Sequence, residues 1–422
     1  MLKHVLLARF LWRDKTGMKL KYDVVVVGSG PAGSVTARFA AEGGAKVLVI
    51  ERRSEVGVPV LCGEGISRKI DAWNILEGER WVAGRMDGAY IFSPDKTRVV
   101  VDADSAGNET GYVVYRDIFD QTLAESAIKS GATYMMNTKA IGLIKKDGEI
   151  KGVVAEHFDE KIEIECKIVV AADGVDSKVA QWAGINTILK PHDLETCAQY
   201  TLTDIDVEHA YCEFYLGKKI APGGYIWVFP KGKRIANVGM GILASLSTPG
   251  KVKELLDDFI EKDPRLNKGK NLRFITGAVP VANPADQTVA DNLILVGDAA
   301  RHVDPITGGG LTHCLEGGKI AGEVIAKSIK KKDYSAKFLQ EYEDGWKNAF
   351  GQKITRNYLV KEMMLDMDDK TFNRLADALS KVKFDEISTH GLIKEVAKHV
   401  PISKKLSALI KFRKEIKELK KK

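Results

Sequence analysis

Three glycine-rich segments, far apart in the chain, carry residues suited to binding a dinucleotide. The first is the loop GSGPAG at 28–33, which directly follows a run of four valines. In this loop Gly28 permits a tight turn, Gly30 lets the backbone approach a pyrophosphate, and Gly33 lets the next helix pack closely. We expect the amides at the start of that helix, from Ala32 onward, to point at the phosphates. Alone, this pattern fits a βαβ unit that binds NAD or nothing equally well.

An acidic residue follows at the spacing expected for ribose recognition. A helix predicted over Ala32–Glu42 and a strand predicted over Lys46–Ile50 lead to Glu51, ~20 residues after the glycines. A carboxylate in this position accepts hydrogen bonds from an adenosine ribose. We expect one of the two arginines that follow, Arg52 or Arg53, to flank the adenine, and we include Arg52 in the predicted cofactor site.

The second segment ends a predicted β-meander. The meander spans Ala140–Ala172, with Asp147-Gly148 as a hairpin turn. Its last strand leads into Asp173-Gly174 and then Ser177, which opens a helix. An Asp-Gly turn is common by itself, but the serine at the helix start favours a functional interpretation. We include Ala140 and Asp173 in the predicted cofactor site.

The third segment places a carboxylate and a glycine cluster after another buried strand. Asp298 follows the apolar run Leu293–Val296, and Gly309, Gly310 and Leu311 lead into a predicted helix. Asp298 can accept hydrogen bonds from the ribityl hydroxyls of a flavin. The positive end of the helix would face the flavin N1–C2=O edge, where charge collects on reduction. A glycine hinge without a ligand is the competing interpretation. Together, and in this order, the three segments indicate FAD.

The chain resembles the para-hydroxybenzoate hydroxylase-type flavoprotein superfamily over roughly residues 20–345. Arg116, in the sequence YRDIFD at 115–120, also matches the superfamily pattern, in which such an arginine contacts the cofactor. The resemblance therefore implies an FAD site that includes Arg116.

Three further motifs resemble the geranylgeranyl reductase family, and within it the archaeal enzymes that act on digeranylgeranylglycerophospholipids. They are PVLCGEGIS at 59–67, GYIWVFP at 224–230 and ARHVDPITGGG at 300–310. The aromatic hydroxylases of the superfamily usually carry His where this chain has Arg301, which favours the reductases. The resemblance implies FAD-dependent reduction of isoprenoid C=C bonds in archaeal membrane-lipid precursors, with a prenylated glycerophospholipid as the substrate.

Alternation along a predicted strand puts Tyr225, Trp227 and Phe229 on one face. Three aromatic rings can wall a long apolar pocket, and Gly239 and Gly241 on the next strand would leave room for a ligand. Periodicity alone favours an ordinary aromatic core. The family resemblance favours substrate binding by all three aromatic residues, with catalytic roles for the tyrosine and the tryptophan.

The resemblance also places Cys62 and Gly63 beside the reactive face of the flavin, and we count Cys62 as both a catalytic and a cofactor-binding residue. A cysteine among apolar residues is usually inert packing. Here glycines flank the turn, which packing does not require. Three roles stay open for Cys62: a proton donor, a redox relay with a partner such as Cys314, and an element of shape.

The predicted fold class is mixed α/β. A Rossmann-like FAD-binding domain carries an inserted antiparallel β-sheet substrate domain and a helical C-terminal region. The FAD-binding domain is assigned to 20–85, 112–190 and 285–345, and the substrate domain to 86–111 and 191–284. The helical region is assigned to 346–422, and from Tyr334 on the predicted helices are Lys337–Phe350, Thr371–Val382, His390–His399 and Lys404–Lys420. Residues 1–17 are interpreted as a mis-assigned start or a disordered arm.

The composition excludes several classes of protein. No apolar run reaches the ~18 residues needed to span a bilayer. The five cysteines form no Cys-x-x-Cys pair, and their odd number shows no disulfide framework. We therefore expect no metal site, a reducing cytoplasmic location and no nucleic-acid partner. Residues 1–17 lack a small-residue cleavage site, so we reject export.

A basic amphipathic segment ends the chain. Apolar residues recur at near-helical spacing from Ile402 to Leu419, among basic residues that far outnumber Glu415 and Glu418. This pattern suits an interfacial helix on anionic lipid, which would give peripheral contact with the inner face of the cell membrane. A solvated charged tail is the alternative.

No second strand–GxGxxG–helix pattern occurs, so the electron donor must dock transiently. It is either NAD(P)H or a reduced ferredoxin-like carrier protein. Three other functions fit the same scaffold: a flavin monooxygenase or halogenase, a quinone-linked electron-transfer dehydrogenase, and a redox-silent lipid-binding flavoprotein. Quinone-linked relatives usually add a cysteine-ligated cluster, for which this chain lacks the cysteine pattern.

Overall fold

The structure is a computed structural model that describes residues 20–73, 78–102 and 111–381. The predictions for 1–17, 390–399 and 404–420 lie outside these residues. The strands are β1 Leu20–Lys21, β2 Val24–Val27, β3 Val47–Ile50, β4 Gly65–Ser67, β5 Val82–Arg85, β6 Gly88–Phe92, β7 Arg98–Asp102, β8 Gly111–Val114, β9 Thr133–Met135, β10 Thr138–Lys146, β11 Glu149–His157, β12 Glu160–Glu165, β13 Ile168–Ala171, β14 Leu194–Thr203, β15 Tyr211–Leu216, β16 Tyr225–Gly232, β17 Ile235–Leu243, β18 Lys270–Pro280, β19 Val289–Ala290 and β20 Leu293–Leu295.

Eight α-helices are present in the described part of the chain. They are α1 Pro31–Glu42, α2 Arg116–Lys129, α3 Lys178–Ala183, α4 Lys251–Lys262, α5 Leu311–Lys331, α6 Ala336–Trp346, α7 Gln352–Leu365 and α8 Asp369–Ser380. None of the helices in these residues is long and apolar enough to cross a membrane.

A six-stranded sheet forms the centre of the nucleotide-binding half, in the order β19-β20-β13-β2-β3-β9. Neighbouring strands are parallel apart from the edge pair β19–β20. Val24 and Val26 of β2 pack against α1 and α5, whereas Val25 and Val27 pack against strands of the meander. Burial on both faces explains why β2, β3, β13 and β20 are continuous apolar runs.

The predicted meander is correct for three strands and wrong for the fourth. Strands β10, β11 and β12 are antiparallel neighbours. The turn between the first two has positive φ at Asp147 (53°) and Gly148 (84°), as a two-residue hairpin turn requires. Strand β13 instead inserts between β2 and β20. All four β13 residues are apolar and buried, and the parallel sheet is the layer that covers both faces of a strand.

A seven-stranded sheet, in the order β18-β14-β17-β16-β15-β6-β7, joins strands from both segments assigned to the substrate domain. It is antiparallel apart from the pair β15–β6. One face buries Ile226 and Met240 against Leu256 of α4. The other face carries Cys197 and Trp227 toward the nucleotide-binding half. The domain boundaries themselves stay a prediction.

The helical region follows α5. The prediction over Lys337–Phe350 corresponds to α6 and a π-helical turn, and the prediction over Thr371–Val382 corresponds to α8. Helix α7 continues directly from the π-helical turn. The sequence patterns predict no separate helix at α7, and they predict none at α2 or α4.

Candidate active site

One cleft brings the three glycine-rich segments together. It has a volume of about 760 Å³ and lies where the carboxyl ends of β2, β3, β13 and β20 meet the seven-stranded sheet. Ligands of parallel α/β sheets bind at this edge. Nine predicted cofactor residues line the cleft: Gly28, Gly30, Glu51, Arg52, Cys62, Gly63, Ala140, Asp173 and Asp298. Of the predicted substrate residues, Trp227 lines it as well.

The first glycine loop is closed to side chains at two positions and open at a third. A Cβ at Gly28 would lie 2.3 Å from the Ala172 carbonyl oxygen, and one at Gly33 would lie 2.1 Å from the Gly28 carbonyl oxygen. No atom lies within 4 Å of the corresponding position at Gly30, so the backbone there borders open space. A diphosphate fits this cradle, because it needs close approach to the backbone. Ala32 and Gly33 lie in α1 and do not line the cleft.

Glu51 ties the glycine loop to the end of β3. Its Oε2 accepts hydrogen bonds from the Ser29 amide (3.0 Å) and hydroxyl (2.8 Å), and its Oε1 accepts one from the Arg53 amide (3.0 Å). Oε2 thus accepts two hydrogen bonds, whereas Oε1 keeps a second lone pair, so the predicted contact with an adenosine ribose is compatible with this geometry through Oε1. The Arg53 guanidinium donates to the Pro59 carbonyl (3.2 Å), whereas Arg52 is exposed at the cleft.

Besides Glu51, two half-buried carboxyl groups line the cleft. Oδ2 of Asp173 accepts a hydrogen bond from the Val179 amide (2.9 Å), but its buried Oδ1 has no partner among the described residues. Desolvation raises the pKa of Asp173, and it also raises the pKa of Asp298 against the opposing charge of Arg116. A buried acceptor without a partner indicates a ligand that donates to it, and a ribose or ribityl hydroxyl is such a donor.

The predicted helix-end contacts are close to the cleft but do not line it. A Cβ at Gly310 would lie 3.4 Å from Oδ1 of Asp298, which places this glycine beside the cleft carboxylate. Leu311 begins α5, and its side chain is buried in a cluster with Val35. Only the backbone of Leu311 is therefore left to face a cofactor. Contacts of Gly309, Gly310 and Leu311 with FAD stay a prediction.

Arg116 lies next to Cys62 rather than in the cleft wall. Its guanidinium forms a bidentate ion pair with Asp120 (2.9 and 3.0 Å). Burial lowers the pKa of Arg116, but the negative charge of Asp120 and the neighbouring Cys62 raise it well above its ordinary value. A permanent positive charge is thus fixed behind the cleft, and its direct contact with the cofactor stays a prediction.

Cys62 faces the cleft, and two hydrogen bonds fix its position. Its sulfur accepts a hydrogen bond from the Glu64 amide (3.2 Å), and its carbonyl accepts one from the Gln199 side chain (3.1 Å). All five cysteines, including the buried Cys314, are free thiols. The three roles considered for Cys62 stay predictions.

The three aromatic side chains of β16 share one face, as predicted. The ring centroids are 5.9 Å apart for Tyr225 and Trp227 and 6.3 Å apart for Trp227 and Phe229. Trp227 donates from its indole nitrogen to the side-chain oxygen Oε1 of Gln199 (2.8 Å) and borders the cleft. Tyr225 donates its hydroxyl to the Thr307 carbonyl. The Phe229 ring packs over the glycines that flank Glu64.

The room predicted at Gly239 and Gly241 is not free for a ligand. A Cβ at Gly239 would lie 2.3 Å from the Trp227 ring, and one at Gly241 would lie 2.7 Å from Oε2 of Glu195. The two glycines therefore accommodate protein side chains. The prediction was wrong because the sequence does not show which neighbouring side chain turns over a glycine.

Three groups of site residues were missed from the sequence. Gln199 bridges Cys62 and Trp227, and Glu195 lies on the same face of β14. The available signal was the recurrence of Glu195, Cys197, Gln199 and Thr201 at alternate positions, which places them on one face of a strand. The third group is the buried pair Glu64–Lys231, for which no local pattern exists.

Comparison with known proteins identifies the family. Residues 193–279 match the geranylgeranyl reductase catalytic domain, and residues 23–210 match the FAD dependent oxidoreductase family. The digeranylgeranylglycerophospholipid reductase of Methanothrix thermoacetophila is 42% identical over 375 residues, which cover 89% of this chain and 95% of that protein. Reductase 2 of Methanococcoides burtonii is 44% identical over 381 residues, which cover 90% and 93%. The chain belongs to the geranylgeranyl reductase family.

One solved structure agrees with membership in this family. A geranylgeranyl bacteriochlorophyll reductase-like protein from Thermoplasma acidophilum matches with a TM-score of 0.87 at 40% identity, over 93% of this chain and 100% of that one. A flavin-dependent brominase matches with a TM-score of 0.67 at 17% identity, over 94% and 100%, and this likeness shows a shared fold alone.

FAD is the cofactor of this geranylgeranyl reductase family member, and the cleft suits it. The open backbone at Gly30 can receive the diphosphate, and the unpaired Asp173 Oδ1 can accept from a hydroxyl of the cofactor. The catalytic-domain match at 193–279 supplies strands β14 to β18, which form the opposite wall.

Proposed function

We propose that this chain reduces the isoprenoid C=C bonds of a geranylgeranylated glycerophospholipid in an FAD-dependent reaction. The observation that carries this proposal is the position of Trp227. Its ring belongs to the aromatic face of the catalytic-domain sheet, and it borders the same cleft as Cys62 and Asp298. The relatives that share 42–44% of their residues with this chain bear the name digeranylgeranylglycerophospholipid reductase.

Bound and reduced, FAD supplies a hydride; the protein supplies position and a dry environment. Gln199 fixes the Trp227 ring and the Cys62 carbonyl at the same time, because its amide donates to one and accepts from the other. The part of the cleft wall that is formed by Trp227 and the Cys62 turn is thereby held rigidly. A rigid apolar wall can hold a flat alkene against the cofactor and exclude water.

The electron donor belongs to the same proposal. The described parallel sheet carries one dinucleotide cradle, at Gly28, Gly30 and Gly33. NAD(P)H or a reduced ferredoxin-like protein would therefore dock for electron transfer and leave. The basic segment 403–422, which lies outside the described residues, would give peripheral contact with an anionic membrane that holds the lipid substrate.

One anaerobic experiment tests the reaction. The purified yellow protein is photoreduced and mixed with a digeranylgeranylglycerophospholipid in detergent. We expect flavin reoxidation and a product heavier by two hydrogens for each reduced bond. The matched control is the same lipid with fully saturated chains, which should leave the flavin reduced. Reoxidation that occurs only with oxygen, with no mass gain, would instead support a monooxygenase or halogenase.

A second measurement separates the donors. Anaerobic flavin reduction is followed after addition of NADH, NADPH or a chemically reduced ferredoxin. Rapid reduction by a nicotinamide supports direct hydride donation, and reduction by the ferredoxin alone supports a carrier protein. Binding to anionic vesicles by the full chain, lost in a variant without 403–422, tests the membrane contact.

A further inference from the structure

A buried carboxyl group in the catalytic sheet has no hydrogen-bond partner among the described residues. Glu195 lies in β14, where its side chain shares a face with Cys197 and Gln199, because alternate residues of a strand point to the same side. Both of those residues line the cleft. Only 6% of the Glu195 surface is exposed. Glu195 therefore lies beside the cleft wall, two residues along β14 from Cys197 and on the same face.

Two glycines make the space that this carboxyl occupies. A Cβ at Gly241 would lie 2.7 Å from Oε2 of Glu195, and a Cβ at Gly224 would lie 3.3 Å from Oε1. A side chain at Gly241 would displace the carboxyl, whereas one at Gly224 would first meet the Gly241 carbonyl oxygen, 2.2 Å from its Cβ. The carboxyl therefore packs against the backbone of both glycines.

The loop before α5 lies above the same part of the sheet. A Cβ at Gly308 would lie 3.7 Å from Cγ1 of Val279 and 3.9 Å from the Tyr225 hydroxyl. Val279 is the direct partner of Glu195 on β18, and Tyr225 pairs with Gly241, whose partner on β14 is Cys197. The loop that carries the predicted flavin-contacting glycines therefore covers the region around Glu195.

The carboxyl is not neutralised by an ion pair. No hydrogen bond to it occurs within the described residues, and the one positive charge that acts on it there is that of Lys361. The Lys361 ammonium is engaged elsewhere, since it donates to the Val281 carbonyl (2.9 Å) and lies 3.3 Å from Glu362 and 3.8 Å from Asp193.

Buried glutamates elsewhere in the sheet region are paired. Glu64 lies 2.6 Å from Lys231, and Glu213 lies 2.7 Å from Arg265. Burial raises the pKa of Glu195 to about 7, with Lys361 opposing the shift. The titratable groups that face it are Cys197 and Tyr225, and burial raises both of their pKa values as well, so both stay neutral near pH ~7.

We propose that Glu195 is the general acid that protonates the alkene, a role that rests on the proposed reductase function. The carboxyl O–H bond breaks, and its proton forms a C–H bond with one alkene carbon by using the π electron pair. The other alkene carbon receives the hydride that the reduced cofactor already supplies. Glu195 is left as a carboxylate and regains a proton from solvent before the next cycle.

Other acids near the cleft are less suited to this step. Asp298 and Asp173 lie at the carboxyl ends of parallel strands, where the cofactor residues gather. The Tyr225 hydroxyl already donates to the Thr307 carbonyl. Cys62 remains the main alternative donor, and the experiment separates it from Glu195.

The first measurement needs no turnover. We expect the infrared spectrum of the full-length protein to contain a protonated-carboxyl band that disappears as pH rises through about 7. The band should be missing from Glu195→Gln and unchanged in Glu254→Gln, whose side chain is exposed on α4. A wild-type spectrum without such a band would overturn the proposal, whatever the lipid activity of the protein.

The second measurement is single-turnover reoxidation of the photoreduced enzyme by the prenyl lipid. Loss of a general acid costs typically 10²–10⁴-fold in rate, so Glu195→Gln should be slower by about 100-fold or more. Its FAD content and its reoxidation by oxygen should match those of Glu254→Gln. Glu195→Asp retains an acid and should recover part of the lost rate. The wild-type rate should fall as pH rises through about 7, and this dependence should persist in Cys62→Ser.

Two outcomes of these measurements would overturn the role of Glu195, and a third would overturn the proposed reductase function. A wild-type rate in Glu195→Gln with full FAD content would overturn the role of Glu195. The same holds if Cys62→Ser, rather than Glu195→Gln, removes the pH dependence. Failure of the wild-type protein to be reoxidised by any prenyl lipid would overturn the proposed function, while the infrared titration would still report the buried acid.

Discussion

The Lys231 ammonium lies 2.6 Å from the Glu64 carboxylate, and both side chains are almost completely buried. The same carboxylate accepts hydrogen bonds from the Asn237 side chain (2.5 Å) and the Arg116 amide (2.9 Å). Glu64 follows Cys62 by two residues, whereas Lys231 and Asn237 belong to the seven-stranded sheet. One buried ion pair therefore joins the cysteine turn, the start of α2 and the catalytic sheet.

Glu64→Ala should leave the Lys231 ammonium buried without a counter-charge. Breaking a buried pair in this way costs about 3–5 kcal/mol in the free energy of unfolding, which denaturant titration measures. The double variant Glu64→Leu/Lys231→Leu should be less destabilised than Glu64→Ala. As a surface control, Asp258→Ala removes an exposed pair with Lys262 and should change stability by less than about 1 kcal/mol. Equal losses in the three variants would contradict the buried-pair account.

Asp298→Ala should weaken FAD binding, because the carboxylate lines the cleft beside the third glycine segment. A hydrogen bond to a charged group contributes about 1.5–3 kcal/mol, or roughly 10–100-fold in dissociation constant. Fluorescence titration of deflavinated protein with FAD gives this constant. The exposed Lys331→Ala is the control and should bind FAD as the wild type does. FMN in the purified protein, or no uptake of FAD, would contradict the whole site assignment.

Trp227→Ala should change which double bonds are reduced, or how many, while most FAD stays bound. The ring borders the cleft and covers Gly239, so its loss enlarges the substrate side of the site. Gly239→Ala is a matched variant that keeps the ring but displaces it, since the added Cβ would lie 2.3 Å from it. Mass spectrometry of the products compares the two. Flavin loss with an unchanged product pattern would assign Trp227 to the structural core.

Cys62→Ser should retain FAD and slow lipid-dependent reoxidation by about tenfold or more, because small displacements at a reacting centre reduce rates strongly. Cys166→Ser should stay within about twofold of wild type. Cys166 is buried between the meander and the parallel sheet, and burial raises the pKa of its thiol to about 12. Stopped-flow single turnovers decide the matter. An unchanged rate in Cys62→Ser would show that Cys62 has only a packing role.

His302 should make the protein sensitive to acid. Its ring is fully buried near Trp346 and Phe350, and neither ring nitrogen has a partner among the described residues. Burial, with His313 nearby, lowers the pKa of His302 to about 3, against ~6.5 in an unfolded chain. The unfolded state therefore binds the proton first, so this stability is complete above pH ~6.5 and is lost as pH falls toward ~3.

His302→Phe removes that titration. Between pH ~7 and pH ~4.5 the variant should lose about 2–3 kcal/mol less unfolding free energy than the wild type. Urea titrations at the two pH values give the difference. Identical losses would mean that His302 becomes protonated without unfolding the chain.

The sequence by itself determined the nucleotide-binding half. Gly28 and Gly33 allow backbone approaches that any Cβ would block, and the spacing of these glycines between an apolar strand and a helix is visible as a pattern in the chain. The apolar runs of β2, β13 and β20 are likewise local, because strands buried on both faces must be apolar throughout. The family resemblance also rested on short motifs, and the comparisons confirmed the family.

Only the tertiary structure decided what fills the space between the sheets. The sequence predicted room for a ligand at Gly239 and Gly241, but the side chains of Trp227 and Glu195 occupy that space. Nothing in the local pattern pairs Glu64 with Lys231, which are 167 residues apart. The meander prediction failed at β13 because this strand pairs with β2 and β20, which are far from it in the chain. Side-chain placement and long-range pairing depend on packing between distant segments, and a single sequence carries no local record of that packing.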